Sequence, residues 1–381
     1  MYKIMTPGPT EVYQNVLQAR SIPCTNPDLD LNFVEDYKKL CVRISKILKT
    51  DAETLILGGE GILGLEAACA SLTEEGDRVL VIDNGVFGRG FQDFVRIYGG
   101  EPVLFTGDYR EEIDRDALAK FLDKDSSFKY ATLVHGDTPS GMLNDASAIT
   151  KLLKSHGILT IVDAVSTMFG EKLDATYIDI LCGGSQKVIS APPGLAICVI
   201  SEDAKKAINE RRTPIRSFYA NLKAFFNYYE EKWFPYTMPI SDIKGLDVAI
   251  ENIENDPDIL ERHEKIASAT RNAVTAAGLK LYARSGFSNT VTAFEVPIGI
   301  SSDDIFLTMR QDHNILIAGS FDVFAGQLIR IGHMGNNART EKVKETLEAL
   351  DITLSKLGFK AKASLAEEFS KNIRSVSKCK I

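Results

Sequence analysis

Between about residue 50 and residue 200 the chain alternates short, apolar, β-branched runs with stretches of helical periodicity, and that alternation leaves few folds open. The runs Thr54–Leu57, Arg78–Ile82, Pro102–Phe105, Tyr130–Val134, Ile158–Val162, Ile178–Leu181 and Leu195–Ile200 read as strands. Gly64–Leu72, Phe91–Tyr98, Arg115–Leu122 and Ala146–His156 read as the helices between them. Strands separated by helix-length crossovers form a mostly parallel sheet covered on both faces. Near Asn255–Asp258 the texture changes. A charged helix (Ile259–Ala277), a strand (Val291–Val296), a helix (Asp303–Asp312), a strand (Leu328–Ile331) and a helix (Thr340–Leu357) predict a smaller C-terminal α+β domain. No internal repeat is present.

Composition removes several classes of function. Lys and Arg number 44 against 52 Asp and Glu, a net charge of −8, so the chain has no global attraction for nucleic acid or anionic lipid. The six cysteines, at 24, 41, 69, 182, 198 and 379, form no C-x-x-C pair and no cysteine–histidine cluster. They read as reduced thiols, with no metal site expected. Residues 1–7 lack the apolar run of a signal peptide, no stretch approaches a membrane span, and Cys379, third from the end, makes no prenylation box. A cytoplasmic protein with no membrane or nucleic-acid partner is the expectation.

In open parallel sheets ligands bind beyond the carboxyl ends of the strands, so the polar residues that follow each strand come first. Ile161-Val162-Asp163 delivers a carboxylate at the end of an apolar strand. Alone it reads first as a loop or helix-capping aspartate. The next strand leads into Gly183-Gly184-Ser185-Gln186-Lys187 and then Ala191-Pro192-Pro193-Gly194. A lysine in so cramped and desolvated a place has a lowered pKa and a nucleophilic amine. An aspartate and a lysine on consecutive core strands are what a pyridoxal cofactor requires: an amine to take its aldehyde, and a carboxylate to hold its ring nitrogen protonated. Leu57-Gly58-Gly59-Glu60-Gly61-Ile62 is a glycine-rich turn feeding a helix, where free N–H groups form an anion site. Arg330, between Ile329 and Ile331, is costly to bury unpaired and suited to grip a carboxylate through two hydrogen bonds.

These motifs resemble the class V aminotransferases, in the branch of the alanine–glyoxylate and serine–pyruvate enzymes, from Pro7-Gly8-Pro9 to the C-terminal helix. The resemblance implies the aspartate-aminotransferase-like, type I fold for pyridoxal 5′-phosphate: an α/β large domain with a mostly parallel seven-stranded sheet and a small C-terminal domain. It implies an N-terminal segment (1–15) that contributes to the active site, a cofactor domain (16–256) and a small domain (257–381). Lys187 then matches the Schiff-base lysine and proton shuttle, and Asp163 the pyridinium partner. Val165 matches the residue under the ring, and Phe87 the aromatic stacked on it. Glu60, Gly61, Ile62, Thr138 and Gln186 complete the expected cofactor contacts, with Gly8 and Arg330 for the substrate and Arg330 as the carboxylate clamp. His333 is expected to be structural. Pro235-Tyr236-Thr237-Met238-Pro239 matches a segment that touches a neighbour's cofactor, so Thr237 implies a homodimer with shared sites. The implied activity moves an amino group between a small amino acid and a 2-oxo acid.

Glu60 departs from the common pattern. A carboxylate there repels a bound phosphate while gaining from the helix N-terminus itself. With Leu63–Ala67, Asp137–Gly141 and Gly245–Ala249, it resembles the pyridoxamine–pyruvate transaminase branch, which uses unphosphorylated vitamin B6 as substrate. Against that branch stand Ser185-Gln186, Phe87 without a hydroxyl, and Phe321 in place of a second arginine. Sulfur transfer on the same fold needs a mobile-loop cysteine, for which Cys379 is a poor candidate. A non-catalytic scaffold has no reason to keep Lys187, Asp163 and Arg330 together.

Overall fold

The computed structural model describes residues 2–378. Seven strands form the main sheet: β1 (Glu53–Gly58), β2 (Arg78–Asp83), β3 (Glu101–Thr106), β4 (Tyr130–Val134), β5 (Leu159–Asp163), β6 (Ile180–Gly184) and β7 (Leu195–Ile200). Their order is β1-β7-β6-β5-β4-β2-β3. All neighbours are parallel except β7, which runs antiparallel to both β1 and β6. The reason is chain length: residues 185–194 hold no helix, and only an antiparallel pair can be joined without a crossover. Because β7 is reversed between them, β1 and β6 still point the same way. The carboxyl ends of β1, β6, β5, β4 and β2 therefore open onto one edge of the sheet.

The strands Thr54–Leu57 to Leu195–Ile200 appear as read, apart from Ile178–Leu181. That strand begins at Ile180 and runs on to Gly184, with Ile178 in the preceding turn. Two helices begin earlier than their periodicity indicates, at Gly61 and Val86, and three more (Gln14–Arg20, Leu31–Ile47, Ile240–Glu254) pack outside the alternating region. One apolar core, drawn from Val16 to Ile253 with Val291 and Met334, surrounds the sheet. A second joins the helices Ile259–Ala276, Ser302–His313 and Thr340–Lys356 to a three-stranded antiparallel sheet of β8 (Val291–Glu295), β9 (Ala318–Gly319) and β10 (Leu328–Gly332).

The N-terminal segment bridges the two cores: its first residues join the second, and Val12 and Tyr13 pack against the first. Met5 is fully buried in the second core, and Lys3–Ile4 pairs in parallel with Ile315–Leu316. Gly332 N donates to Met5 O at 2.8 Å, and a Cβ on Gly332 would lie 2.2 Å from Thr6 O, so only glycine admits that approach. Among the described residues no helix is long and apolar enough to cross a membrane, and no cluster of three His, Cys, Asp or Glu side chains could hold a metal.

Candidate active site

The turn after β6 is held from three directions. Ser185 Oγ donates to Pro192 O at 2.6 Å and accepts from Leu195 N at 3.3 Å. From the N-terminal segment, Thr10 N donates to Gln186 O and Thr10 Oγ1 to Lys187 O, both at 3.0 Å. From beyond β10, Asn336 N donates to Ser190 Oγ at 2.8 Å. Lys187 leaves this turn and its Nζ donates to Pro7 O at 2.7 Å. Gly8 sits against it at φ +104°, where a Cβ would lie 2.3 Å from Lys187 Cδ; the N-terminal segment passes the lysine so closely that a side chain does not fit. Burial pushes the Lys187 ammonium down to about 8. The Arg330 charge adds to that, and Asp163 and Glu60 oppose it.

Asp163 ends β5, one strand away, and is 6% exposed. Its Oδ1 accepts from Val165 N at 2.8 Å. Burial pushes its carboxyl up to about 7, against the Val165 N–H and the Lys187 charge. Val165 reaches over two glycines: a Cβ on Gly61 or Gly184 would lie 2.9 or 3.1 Å from its methyl groups. Val165, Asp163 and Lys187 line one cavity with Phe87, Thr138, Glu60 and Ile62.

Arg330 lies mid-strand on β10, in register with Ala293 and Ala318, and is 7% exposed. Nε donates to Gly319 O at 2.6 Å and Nη1 to Thr138 O at 3.2 Å. Burial pushes it down to about 10, opposed by Asp137, so it stays charged at neutral pH. In the sequence Asp137 stands out only within the Asp137–Gly141 run, with no role of its own, although it follows β4 just as Asp163 ends β5. It is buried and accepts from Ser140 Oγ at 2.6 Å, Ser140 N at 3.2 Å and Phe87 N at 3.4 Å. It holds the first turn of the helix Val86–Ile97 and supplies Arg330 with a counter-charge. Two carboxylates and two cations thus meet where Arg330 on β10 faces the carboxyl ends of β4, β5 and β6, a concentration of perturbed groups typical of a catalytic site. His333, by contrast, is wholly buried and bonded to Thr292 Oγ1 at 2.8 Å.

Glu60 is the N-cap of the helix Gly61–Leu72, and its Oε2 accepts from Ile62 N at 2.9 Å. Its other oxygen accepts from Gln186 Nε2, which leaves Gln186 Oε1 buried without a partner among the described residues. Thr237 is not among the residues lining the cavity. It is exposed and donates to Asp28 at 2.9 Å, while the neighbouring Tyr236 hydroxyl accepts from Gly58 N at 3.2 Å. Cys41, Cys69, Cys182 and Cys198 are buried free thiols and Cys24 is an exposed one; Cys379 lies outside the described residues.

The donor set matches the ring of a pyridoxal group: an aromatic face, an aliphatic face, a buried carboxylate and a buried amine. At the helix N-terminus, where an anion would sit, the chain supplies its own carboxylate instead.

Residues 33–323 match the family described as aminotransferase class-V. An uncharacterised aminotransferase of Methanocaldococcus jannaschii is 34% identical over 96% of this chain and 95% of its own. Pyridoxamine–pyruvate transaminase of Mesorhizobium japonicum is 33% identical over 93% of this chain and 92% of its own. The crystal structure of the pyridoxamine–pyruvate aminotransferase from Mesorhizobium loti superposes with a TM-score of 0.93 at 32% identity, covering 98% of this chain and 97% of that one. With a seven-stranded, mostly parallel sheet of this topology and matches that span nearly its whole length, the chain belongs to the class V aminotransferases, pyridoxal-phosphate-dependent enzymes of the aspartate-aminotransferase-like fold.

Proposed function

We propose that this aminotransferase moves an amino group between a small amino acid and a 2-oxo acid of the pyruvate or glyoxylate type, working through Lys187. The observation that carries the proposal is Lys187 and Asp163 at the ends of adjacent strands, lining one cavity with Phe87 and Val165. Bound pyridoxal supplies a carbonyl carbon to carry the amino group and a ring to accept electrons. Lys187 Nζ, held well below the ordinary lysine range, is then a nucleophile near neutral pH and afterwards a base that takes and returns the substrate α-proton. Asp163, buried and one strand away, retains the ring-nitrogen proton. Arg330 has an Nη1 proton and its whole Nη2 group uncommitted to the Gly319 and Thr138 carbonyls, enough to hold an α-carboxylate. Over a full cycle the donor becomes a 2-oxo acid and the acceptor becomes an amino acid, so no external oxidant is needed.

The test is amino exchange from L-alanine to glyoxylate with vitamer supplied. Pyruvate and glycine should form together, and Lys187→Ala should lower the rate at least ~1000-fold. Absence of exchange from any small amino acid, or a Lys187→Ala variant with undiminished rate, would refute it.

A second reading has its own observation. Glu60 occupies the helix N-terminus and takes the Gln186 amide, which favours an unphosphorylated vitamer handled as substrate, as in the pyridoxamine–pyruvate relative. Binding titrations with pyridoxal and its 5′-phosphate separate the two. Much tighter binding of the phosphate ester removes this reading; comparable binding, with a gain for the ester in Glu60→Gly, supports it.

The resemblance at residues 235–239 also supports a homodimer in which Thr237 reaches the partner's site.

A further inference from the structure

We infer that Phe321 selects donors with a single carboxylate and an uncharged side chain, rejecting dicarboxylic amino acids; this deepens the transaminase reading and rests on it. Phe321 follows β9, the strand whose last residue, Gly319, accepts from Arg330 Nε. Its ring lies 5.5 Å from the Arg330 guanidinium carbon and meets Phe87 edge-on, with centroids 5.8 Å apart and planes at 71°. One side chain from the small domain thus touches both the carboxylate-binding cation and the aromatic wall of the cavity. It forms an apolar cover over the space where a donor side chain would project from an α-carboxylate held by Arg330.

The charges around that space point the same way. Among the described residues lining the cavity the one cation is Lys187, which is needed for the chemistry. Arg330 has its Nε and one Nη1 proton engaged by backbone carbonyls, leaving enough for one carboxylate. Outside the Phe87–Phe321 pair, Arg110 is held by Glu295 at 3.0 Å and lies over the Tyr282 ring. Arg89, in that same outer space, is engaged by Tyr109, Asp83 and Asp322. The remaining ionisable groups at hand are acidic: Asp137, buried beside Arg330, with Asp163 and Glu60 lining the cavity. A second carboxylate would lose its water against a phenyl ring, with no cation in the cavity to meet it besides Lys187 and with acidic groups near. A methyl or hydroxymethyl side chain meets the ring at no such cost. Selection here works by a repulsive surround as much as by an attractive pocket.

The experiment compares L-alanine with L-aspartate and L-glutamate as donors to glyoxylate, in the holoenzyme and in Phe321→Arg and Phe321→Leu. The wild type should prefer alanine by at least ~100-fold in kcat/KM. Phe321→Arg should narrow that ratio at least ~10-fold by raising turnover of the dicarboxylic donors, and Phe321→Leu, still apolar, should keep it. Calorimetric binding of inert propionate and succinate supplies a readout independent of turnover: propionate should bind better to the wild type, and succinate should gain in Phe321→Arg. A wild type that uses aspartate as well as alanine, binds succinate as well as propionate, or is unchanged in either respect by Phe321→Arg overturns the inference. If no donor exchanges but the propionate–succinate selectivity holds and shifts in Phe321→Arg, the transaminase reading fails while the selecting role of Phe321 stands.

Discussion

Lys187 lies in a balance of opposing charges, and that balance makes its chemistry testable by pH. Desolvation and Arg330 disfavour its protonated form, while Asp163 and Glu60 favour it. Its pKa of about 8 lies below the ordinary lysine value of about 10.4, so the neutral amine gains population as pH rises through about 8. The rate at which pyridoxal becomes covalently bound should rise across that same interval. Arg330→Gln removes a cation that holds the value down, so the inflection should move to higher pH; an unmoved inflection would disconnect the two groups. The same shift has a sign in stability. Between about 8 and 10.4 the unfolded chain holds a proton that the folded one has lost, so Lys187's contribution to stability rises with pH across that window, and its penalty is complete below it. Asp163→Asn, which cannot hold a ring-nitrogen proton by charge, should lower kcat at least ~100-fold while leaving covalent capture by Lys187 intact. If kcat survives, Asp163 is structural.

At the scale of the element, the helix Gly61–Leu72 makes Glu60 serve two ends. Its carboxylate caps Ile62 N, and an N-cap of this kind is worth about 1 kcal/mol. Glu60→Ala should therefore lower unfolding stability by about that amount and at the same time raise affinity for a phosphorylated vitamer. A variant that loses stability without gaining that affinity would make the carboxylate a cap alone. Much at this scale was legible in the chain. β-branched runs fix the seven strands, and the rule that carboxyl ends carry ligands leads to Asp163 and Lys187 without further information. The same rule applied one strand earlier reaches Asp137, but Gly136 and Asp137 belong to a tight hairpin in which an aspartate reads as a turn residue. The early start of the helix Gly61–Leu72 was hidden because its first turn is Gly-Ile-Leu, and only the Glu60 cap marks the end. The approach of Gly8 to Lys187 joins positions far apart in the chain; only the resemblance indicated that Gly8 mattered, and no periodicity within residues 1–15 does so. Gly8→Ala should displace either the N-terminal segment or the lysine, and covalent capture should fall at least ~10-fold; capture at the wild-type rate would show that the segment can yield.

For the whole molecule, the site depends on parts that sequence separates widely. The lysine turn is tied to Thr10 and to Asn336, and the clamp on β10 reaches back to Thr138. Local patterning cannot show such convergence, so Arg330 could be recognised from its improbable burial but not placed against Asp137. Exposed apolar side chains point to a further level of assembly. Leu29, Leu31, Phe218, Tyr219 and Trp233 are each more than half exposed, and the segments carrying them are joined by the Thr237–Asp28 hydrogen bond, the Phe33–Phe234 ring contact and the Tyr219–Tyr236 stack. If these faces meet a second copy, sedimentation at micromolar concentration should give twice the chain mass; a monomer there would contradict shared sites. Every step proposed for this site needs one amine, Lys187 Nζ. Borohydride reduction of the protein with pyridoxal or its phosphate, followed by peptide mapping by mass, should find the vitamer fixed to Lys187 Nζ and absent in Lys187→Arg. A vitamer fixed to any other lysine, or to none, would contradict that requirement.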